Sequence, residues 1–211
     1  DYHMPVAVFS LEMSALQLVM RLMTTESGLS ADKLKGGAKL DPWDWQQLET
    51  RLANLSKAPL YIDDTPSIPL MEFRTKIMRL VKAKDVRLVI VDYLQLMQGP
   101  AELRGMREQE VAAISRTLKA TAKELNVPII ALSQLSRDAV KRTGGSGKPQ
   151  LSDLRESGSI EQDADMVIFL HRPDYVGLGE TPDGKETTQV IIAKHRNGEV
   201  CDIDMLFKAE Q

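Results

Sequence analysis

Leu88-Val89-Ile90-Val91-Asp92 is the most informative segment of this chain: an apolar run that ends in an aspartate. An unbroken run of this kind is typical of a strand that is buried on both faces, as in a parallel sheet covered by helices. Further apolar runs on either side of it are predicted to be strands, at Pro5–Leu11, Leu60–Asp63, Ile129–Ser133 and Asp165–His171.

Helical patterns separate these strands. Asp41 followed by Pro42 marks one helix start, because aspartate caps free N–H groups and proline fits the first helical position. Strands that alternate with helices predict an α/β fold with a mainly parallel, twisted sheet and helices on both faces. The predicted helices are Ser14–Thr25, Pro42–Leu55, Leu70–Ala83 and Glu110–Leu125.

The end of the chain has a different pattern. Asn197-Gly198, a strong hairpin signal, lies between the β-like runs Thr188–Ala193 and Val200–Phe207 and predicts a C-terminal β-hairpin. Because Lys194, His195 and Arg196 lie beside the turn, at least two cations are expected to project from its tip. Such a hairpin is often only a solvated surface feature, but it also suits charge stabilisation on a phosphoryl group.

The overall composition restricts the class of protein. With 211 residues, 43% of them hydrophobic and 27% charged, the chain is expected to form one globular domain. A lone cysteine, Cys201, cannot form an internal disulfide, so a cytoplasmic location is expected. No apolar run is long enough for a membrane span, and no signal peptide is visible. The net charge of −3 argues against broad coating of nucleic acid, although cations can still be concentrated on loops.

Three predicted strands end near a polar residue: Glu12, Asp92 and Gln134. Ligands of open α/β sheets bind beyond the carboxyl ends of the strands, so these side chains are candidates for one site. Asp92 fits a Walker B aspartate that holds Mg²⁺, usually through water, and Glu12 fits a general base that activates water. Gln134 fits a sensor of the γ-phosphate. Taken singly, each could equally be a cap, a solvated acid or a loop amide.

Residues Asp153–Asp165 form a dense polar segment with the sequence DLRESGSIEQDAD. Its composition is typical of a loop and a helix cap, and Gly158 would allow a ligand to approach the backbone closely. Two further polar segments, Gly99–Gln109 and Arg137–Gln150, are predicted to be loops.

Several of these motifs occur together in a fixed order: VFSLEMS, VDYLQLM, SRTLKATAKELNVPIIALSQLSR, DLRESGSIEQDAD and IIAKHRNG. In this order they resemble the DnaB-type replicative DNA helicases, over essentially the whole chain. The resemblance implies the C-terminal RecA-like ATPase domain of such a helicase, with a P-loop NTPase core. It also implies ATP and Mg²⁺ as cofactors.

The resemblance assigns roles in ATP hydrolysis to individual residues. Glu12 is similar to the catalytic glutamate, Asp92 to the Walker B aspartate that binds Mg²⁺, and Gln134 to the γ-phosphate-sensing glutamine. Lys194 and Arg196 are similar to a lysine and an arginine finger that complete the ATP site of a neighbouring subunit. Arg21 matches an arginine that the family places near the nucleotide, which implies nucleotide binding; it could also be a solvated helix residue.

The resemblance also implies partners. Arg155, Glu156 and Gly158 are similar to the residues that grip the backbone of single-stranded DNA inside a homohexameric ring, and primase and a helicase loader are expected partners of the whole protein. The polar segments Gly99–Gln109 and Arg137–Gln150 are expected to face the channel. Diffuse attraction for DNA could come from their cations, which are Arg104, Arg107, Lys141 and Arg142.

A helicase motor needs a phosphate-binding loop of the form G-x-x-x-x-G-K-[ST], and these 211 residues contain none. Gly144–Lys148 looks similar, but Pro149 stands where the Mg²⁺-binding hydroxyl should be. In the family this loop lies just upstream of the strand with which the chain opens, so we expect a truncated chain that lacks the loop, its strand and its helix, as well as the primase-binding domain. Such a piece should not hydrolyse ATP by itself, and its exposed apolar strand edges should make it self-associate or be unstable.

Two other functions are compatible with parts of the sequence. A RecA-like recombination or repair ATPase would share the core motifs, although DLRESGSIEQDAD and KHRNG favour the replicative helicase. A non-catalytic module that only assembles or binds single-stranded DNA would explain the missing phosphate loop. That module would not need the set Glu12, Asp92, Gln134, Lys194 and Arg196.

Overall fold

The computed structural model describes residues 3–37, 39–135, 148–173 and 187–207, with the backbone alone for residues 155–158. The chain divides into two compact units. The first is built on Asp1–Gln98 and Ala120–Ser133, and the second on Gly99–Lys119 and Gln134–Lys208.

Among the described residues, the first unit contains four strands, all of which were predicted. Their bounds are β1 Val6–Ser10, β2 Leu60–Asp63, β3 Leu88–Asp92 and β4 Ile129–Ala131. They form one sheet in the order β2-β1-β3-β4, and all of its strand pairs are parallel. The apolar run Leu88–Asp92 is therefore a central strand of the sheet, between β1 and β4.

Four helices of the first unit have the bounds α1 Ala15–Ser27, α2 Ala31–Leu34, α3 Pro42–Leu55 and α4 Leu70–Lys84. Two of them begin where the sequence supplies a capping box: Ser14 with Gln17 caps α1, and Asp41 with Asp44 caps α3. The short helix α2 was not predicted, because a single turn carries no periodic signal.

Both faces of β1 are covered. Ala7, Val8 and Phe9 are consecutive, so they point to alternate faces of the sheet, and all three are buried. On one face the ring of Phe9 meets the ring of Phe73 edge to face, with centroids 4.8 Å apart. Phe73 lies on α4, and this contact therefore fixes that helix against the strand that precedes the candidate site.

One helix, α5 at Arg107–Leu125, begins in the second unit and ends in the first. It starts earlier than the predicted Glu110, so part of the expected loop Gly99–Gln109 is helical. A 3₁₀ turn at Ala101–Leu103 occupies more of that segment. The polar segment after residue 148 is also more regular than expected, with a 3₁₀ helix at Leu151–Ser157 and helix α6 at Gly158–Asp163.

In the part of the second unit that the structure describes there are three strands, β5 Met166–His171, β6 Thr187–His195 and β7 Cys201–Leu206. They form an antiparallel sheet in the order β5-β6-β7. The predicted hairpin is therefore present, and β5 pairs with it. Buried side chains alternate with exposed ones along β5, and the buried face packs into a small core with Leu154 and Ile191.

Candidate functional site

The carboxyl ends of β1 and β3 lie side by side. In the parallel register Ser10 is the partner of Asp92, the last residue of each strand. The backbone hydrogen bonding continues one residue beyond β1, because the main-chain N–H of Leu11 donates to the carbonyl of Asp92 over 2.7 Å. Glu12 follows directly, so the first unit carries Glu12 and Asp92 at the same edge of the sheet, as predicted.

Glu12 lies in a short turn between β1 and α1. The hydroxyl of Ser10 donates to the carbonyl of Met13 over 2.8 Å, which closes the turn around Glu12. The Glu12 side chain is exposed, and within the described residues no hydrogen bond or ion pair involves its carboxylate. A fixed backbone and an unpaired carboxylate are compatible with the general base that the sequence predicts at this position.

Asp92 is partly buried at the end of β3. Its carboxylate, like that of Glu12, has no hydrogen-bond or salt-bridge partner among the residues that the structure describes. The adjacent segments are tied together: the side chain of Gln95 donates to the hydroxyl of Ser133 over 2.8 Å, and the N–H of Leu94 donates to the carbonyl of Leu132. Ser133 and Gln95 were not singled out from the sequence.

Gln134 follows Ser133 directly, is exposed, and belongs to the second compact unit. Its assignment to the γ-phosphate remains a prediction. Arg21 is an exposed residue of α1, and its guanidinium is placed against no acid in the described chain. The prediction that Arg21 lies near the nucleotide is also untested.

A group of charged residues at the end of β2 was missed at the sequence level. Lys76 on α4 contacts Asp63 at 2.7 Å, Glu72 at 3.0 Å and the hydroxyl of Thr65 at 2.9 Å. Burial disfavours the charge on Asp63, but the hydrogen bonds from Lys76 and Thr65 outweigh it and lower the pKa of that carboxyl. Burial also disfavours the charge on Lys76, but the contacts with Asp63 and Glu72 outweigh it and raise the pKa of the ammonium.

The hairpin cations lie at the end of β6. We expected at least two to project from the tip, and Arg196 is indeed exposed, but Lys194 is partly buried. The ammonium of Lys194 donates to the main-chain carbonyls of Glu161 and Gln162 in α6. Lys194 therefore points towards its own chain in this arrangement.

Arg196 is held by Asp165. Its main-chain N–H donates to the carbonyl of Asp165 over 2.8 Å, and its guanidinium lies 3.4 Å from the Asp165 carboxylate. Lys119 on α5 also pairs with Asp165. The hydrogen bond from Lys119 and the positive charges of Lys119, Arg196 and Lys194 lower the pKa of the Asp165 carboxyl.

The connection between β6 and β7 is longer than a two-residue turn. The last pair of these strands is Ile192 with Cys201, whereas Lys194 and His195 pair only with β5, opposite Val167 and Met166. The predicted Asn-Gly turn lies inside this connection. An added Cβ at Gly198 would clash with the ring of His195, so a larger residue there would require that ring to move.

The predicted DNA-binding residues Arg155 and Glu156 lie on the 3₁₀ helix, and Gly158 is the first residue of α6. Their side-chain surroundings lie outside the described part of the chain. At the other end of α6 the carboxylate of Asp163 accepts a hydrogen bond from the hydroxyl of Ser115 over 2.7 Å. The backbone thus places Arg155 and Glu156 directly before the helix whose carbonyls bind Lys194.

The loops that were expected to line a channel are described only in part. Arg104 follows a 3₁₀ turn, and Arg107 pairs with Glu110 at 3.0 Å. Lys141, Arg142 and most of the rejected phosphate-loop candidate Gly144–Lys148 lie outside the described residues. Lys148 is described, and it pairs with Asp202 at 2.9 Å.

The residues at the sheet edge fit a magnesium ion that takes most of its ligands from elsewhere. Among the described residues there is no group of three or more His, Cys, Asp or Glu side chains able to hold a metal by themselves. Asp92 supplies one unpaired carboxylate, which suits an ion bound mainly by phosphate oxygens and water.

The parallel sheet, the acids at its carboxyl edge and the C-terminal antiparallel strands define a RecA-like ATPase fold. The family model described as "DnaB-like helicase C terminal domain" matches residues 1–211. This chain belongs to that family.

Curated relatives agree with this assignment. The chain is 49% identical over 205 residues to the replicative DNA helicase DnaB of Geobacillus stearothermophilus, and 47% identical over 205 residues to the replicative DNA helicase DnaC of Bacillus subtilis. In each case the match covers 97% of this chain and 44% of the relative, so the chain spans less than half of those proteins.

Solved structures agree as well. One is an ATPase domain, with a TM-score of 0.88, 36% identity, and coverage of 98% of this chain and 72% of that one. Another is a DnaB-like replicative helicase, whose structure is described together with its interactions with primase. Its TM-score is 0.87 and its identity 36%, and the match covers 98% of this chain and 50% of that one. Among the residues that the structure describes, no helix combines the length and the hydropathy that a membrane span requires.

Proposed function

We propose that this domain is the motor of a replicative DNA helicase that couples ATP hydrolysis to movement along single-stranded DNA and to unwinding of the duplex. The observation that carries the proposal is the pairing of Ser10 with Asp92, which brings two unpaired carboxylates, Glu12 and Asp92, to one sheet edge in a DnaB-family chain. A binding-only module has no need of that pair.

The residues would divide the work of hydrolysis. Asp92 would hold Mg²⁺ through water, and the ion would supply charge neutralisation to the phosphates. Glu12 would orient the attacking water and accept its proton. Gln134 would contact the γ-phosphate, and Arg21 would lie near the nucleotide. The full-length protein that contains this domain, called here the parent protein, would supply the phosphate-binding loop that these residues lack.

Lys194 and Arg196 would act on the ATP site of a neighbouring subunit. This role requires an assembly, for which we propose a homohexameric ring with single-stranded DNA in its channel. Arg155, Glu156 and the backbone at Gly158 would contact the DNA phosphates, which fits binding that does not depend on base sequence. Primase and a helicase loader are proposed partners of the parent protein, and a cytoplasmic location is proposed for it.

The test is to substitute Glu12 in the parent protein. Glu12→Gln keeps the size of the side chain and removes the base, so DNA-stimulated ATP hydrolysis should fall by about a hundredfold or more while nucleotide still binds. Glu26→Gln, on the helix that follows the Glu12 turn and also exposed, is the matched control and should hydrolyse ATP normally. Unchanged hydrolysis in Glu12→Gln would exclude the proposed role of this residue.

A further inference from the structure

Asp64, in the loop after β2, makes a contact that the proposed mechanism does not use. Its carboxylate oxygen Oδ2 accepts a hydrogen bond from the main-chain N–H of Ala15 over 2.8 Å. Ala15 is the first residue of α1, three positions after Glu12. The first N–H groups of any helix lack partners inside the helix, so a side chain from another element can anchor the helix start.

The other end of the Glu12 turn is anchored independently. Leu11 is bound to the carbonyl of Asp92, and the hydroxyl of Ser10 closes the turn onto Met13. Asp64 is the third attachment, and it ties the turn to β2 instead of β3. The backbone that carries Glu12 is therefore held between two strands of the sheet, one on each side of β1.

Asp64 is itself held in place from both sides. Asp63 accepts hydrogen bonds from Lys76 and from the N–H of Thr65, and Thr65 also binds Lys76. Lys76 lies on α4, which packs on the sheet through Phe73. The Asp64 carboxylate is thus presented to Ala15 by a loop whose flanking residues are both fixed.

From this geometry we infer that Asp64 is a positioning residue for Glu12, which it serves by fixing the start of α1 relative to the sheet. The inference rests on the proposed role of Glu12 as the base. An error of about 1 Å in the position of a reacting group can cost on the order of a hundredfold in rate. Loss of this anchor should therefore lower the rate of ATP hydrolysis while the affinity for ATP stays the same.

The experiment uses Asp64→Ala and Asp64→Asn in the parent protein, with ATP hydrolysis measured in the presence of single-stranded DNA. Asp64→Ala should lower kcat by about tenfold or more and leave the Kd for ATP unchanged. Asp64→Asn retains a carbonyl oxygen for the Ala15 N–H, so its kcat should stay within about threefold of wild type. Equal losses of kcat in the two variants would overturn the inference.

A matched control separates positioning from general destabilisation. Asp41 accepts a hydrogen bond from the N–H of Asp44 over 2.8 Å at the start of α3, which is the same kind of contact at another helix. Asp41→Ala should lower the Tm at least as much as Asp64→Ala does and leave kcat unchanged. If kcat falls equally in both, the effect is structural and the inference is wrong.

Two further measurements test the same role without relying on the size of the rate change. In Asp64→Ala, hydrogen exchange should quicken at the amide of Ala15 and not at the start of α3. In a Glu12→Gln background, Asp64→Ala should add no further loss to the residual single-turnover rate, since the group that it positions is gone. Additive losses, or unchanged exchange at Ala15, would refute the role of Asp64. Normal hydrolysis in Glu12→Gln alone would instead refute the proposed function of Glu12.

Discussion

The main-chain N–H of Leu11 donates a 2.7 Å hydrogen bond to the carbonyl of Asp92. This bond extends the parallel pairing of β1 and β3 beyond their last residues and carries it to the base of the Glu12 turn. The two acids proposed for the chemistry of this domain are therefore linked through backbone, so either side chain can be changed without disturbing the bond that aligns them.

Asp92 should be required for magnesium-dependent hydrolysis and not for folding. Because its carboxylate has no partner in the described structure, Asp92→Asn should leave the Tm of the domain nearly unchanged. In the parent protein it should lower ATP hydrolysis by about a hundredfold, with a weaker response to Mg²⁺ in a titration. Asp85→Asn, an exposed aspartate paired with Arg87, serves as control. A normal Mg²⁺ titration in Asp92→Asn would contradict this role.

Arg196 should act across a subunit boundary. Arg196→Ala in every subunit should reduce hydrolysis by about a thousandfold, in the range seen for arginine fingers. A ring mixed from Arg196→Ala and Glu12→Gln subunits should regain activity, because about a quarter of the interfaces would then combine an intact Glu12 with an intact Arg196. Mixed rings that stay as inactive as the two uniform rings would show that Arg196 does not work in trans.

Arg155 should contribute to DNA binding through charge. In the parent protein, Arg155→Ala should weaken binding of single-stranded DNA of any sequence and reduce the slope of log K against log salt by about one. Arg74→Ala is a suitable control, since Arg74 is already paired with Glu124 at 2.7 Å. An unchanged slope, measured by fluorescence anisotropy at several salt concentrations, would remove Arg155 from the DNA contact.

The Asp63–Lys76 pair should stabilise the domain across a wide but bounded pH range. The pKa of Asp63 is lowered, so its contribution is present above the unfolded value of about 4 and is lost as the pH falls through the folded value. The pKa of Lys76 is raised, so its contribution is present below the unfolded value of about 10.4 and is lost as the pH rises through the folded value. Lys76→Met should therefore cost about 1 kcal/mol at pH 7 and progressively less below about pH 4, by urea unfolding. An equal loss of unfolding free energy at pH 7 and below about pH 4 would exclude the ion pair as the cause.

The isolated domain should self-associate through the open face of β5. Ile168 and Leu170 are 50% and 72% exposed on that face, next to Met166. Apolar surface of this kind favours association, so Ile168→Thr with Leu170→Thr should shift the domain towards monomer in sedimentation velocity. Met71→Thr, which removes a single exposed methionine on α4, should change little. A wild-type domain that is already monomeric at high concentration would disprove the expectation.

The sequence predicted the regular parts of the molecule well. Helix α3 and strand β2 have the predicted bounds, because Asp41 and Pro42 mark a helix start and LYID is a short apolar run with clear ends. Element ends were less accurate where pattern alone set them: α5 begins three residues before the predicted Glu110. Short helices such as α2 and α6 have too few residues to show a period.

For some site residues the sequence predicted the position, and for others only the structure reveals the contacts. Glu12 and Asp92 lie at the same edge of the sheet because parallel strands end at a common edge, which follows from the sequence pattern. The contact of Asp64 with Ala15 joins residues that are 49 positions apart, so only the packed structure reveals it. The same is true of Lys194, whose bond to the α6 carbonyls depends on how β6 pairs with β5.

The split pairing of β6 has a mechanical consequence. Residues Thr187–Ile192 of β6 pair with β7, but its last residues, Lys194 and His195, pair with β5 alone. The cationic end of β6 is therefore held by Asp165 and by the carbonyls of α6, and β7 does not contribute to its position. Changes in the connection to β7 that keep Gly198 should be tolerated, whereas any displacement of α6 would directly move the cations that are proposed to reach a neighbouring nucleotide.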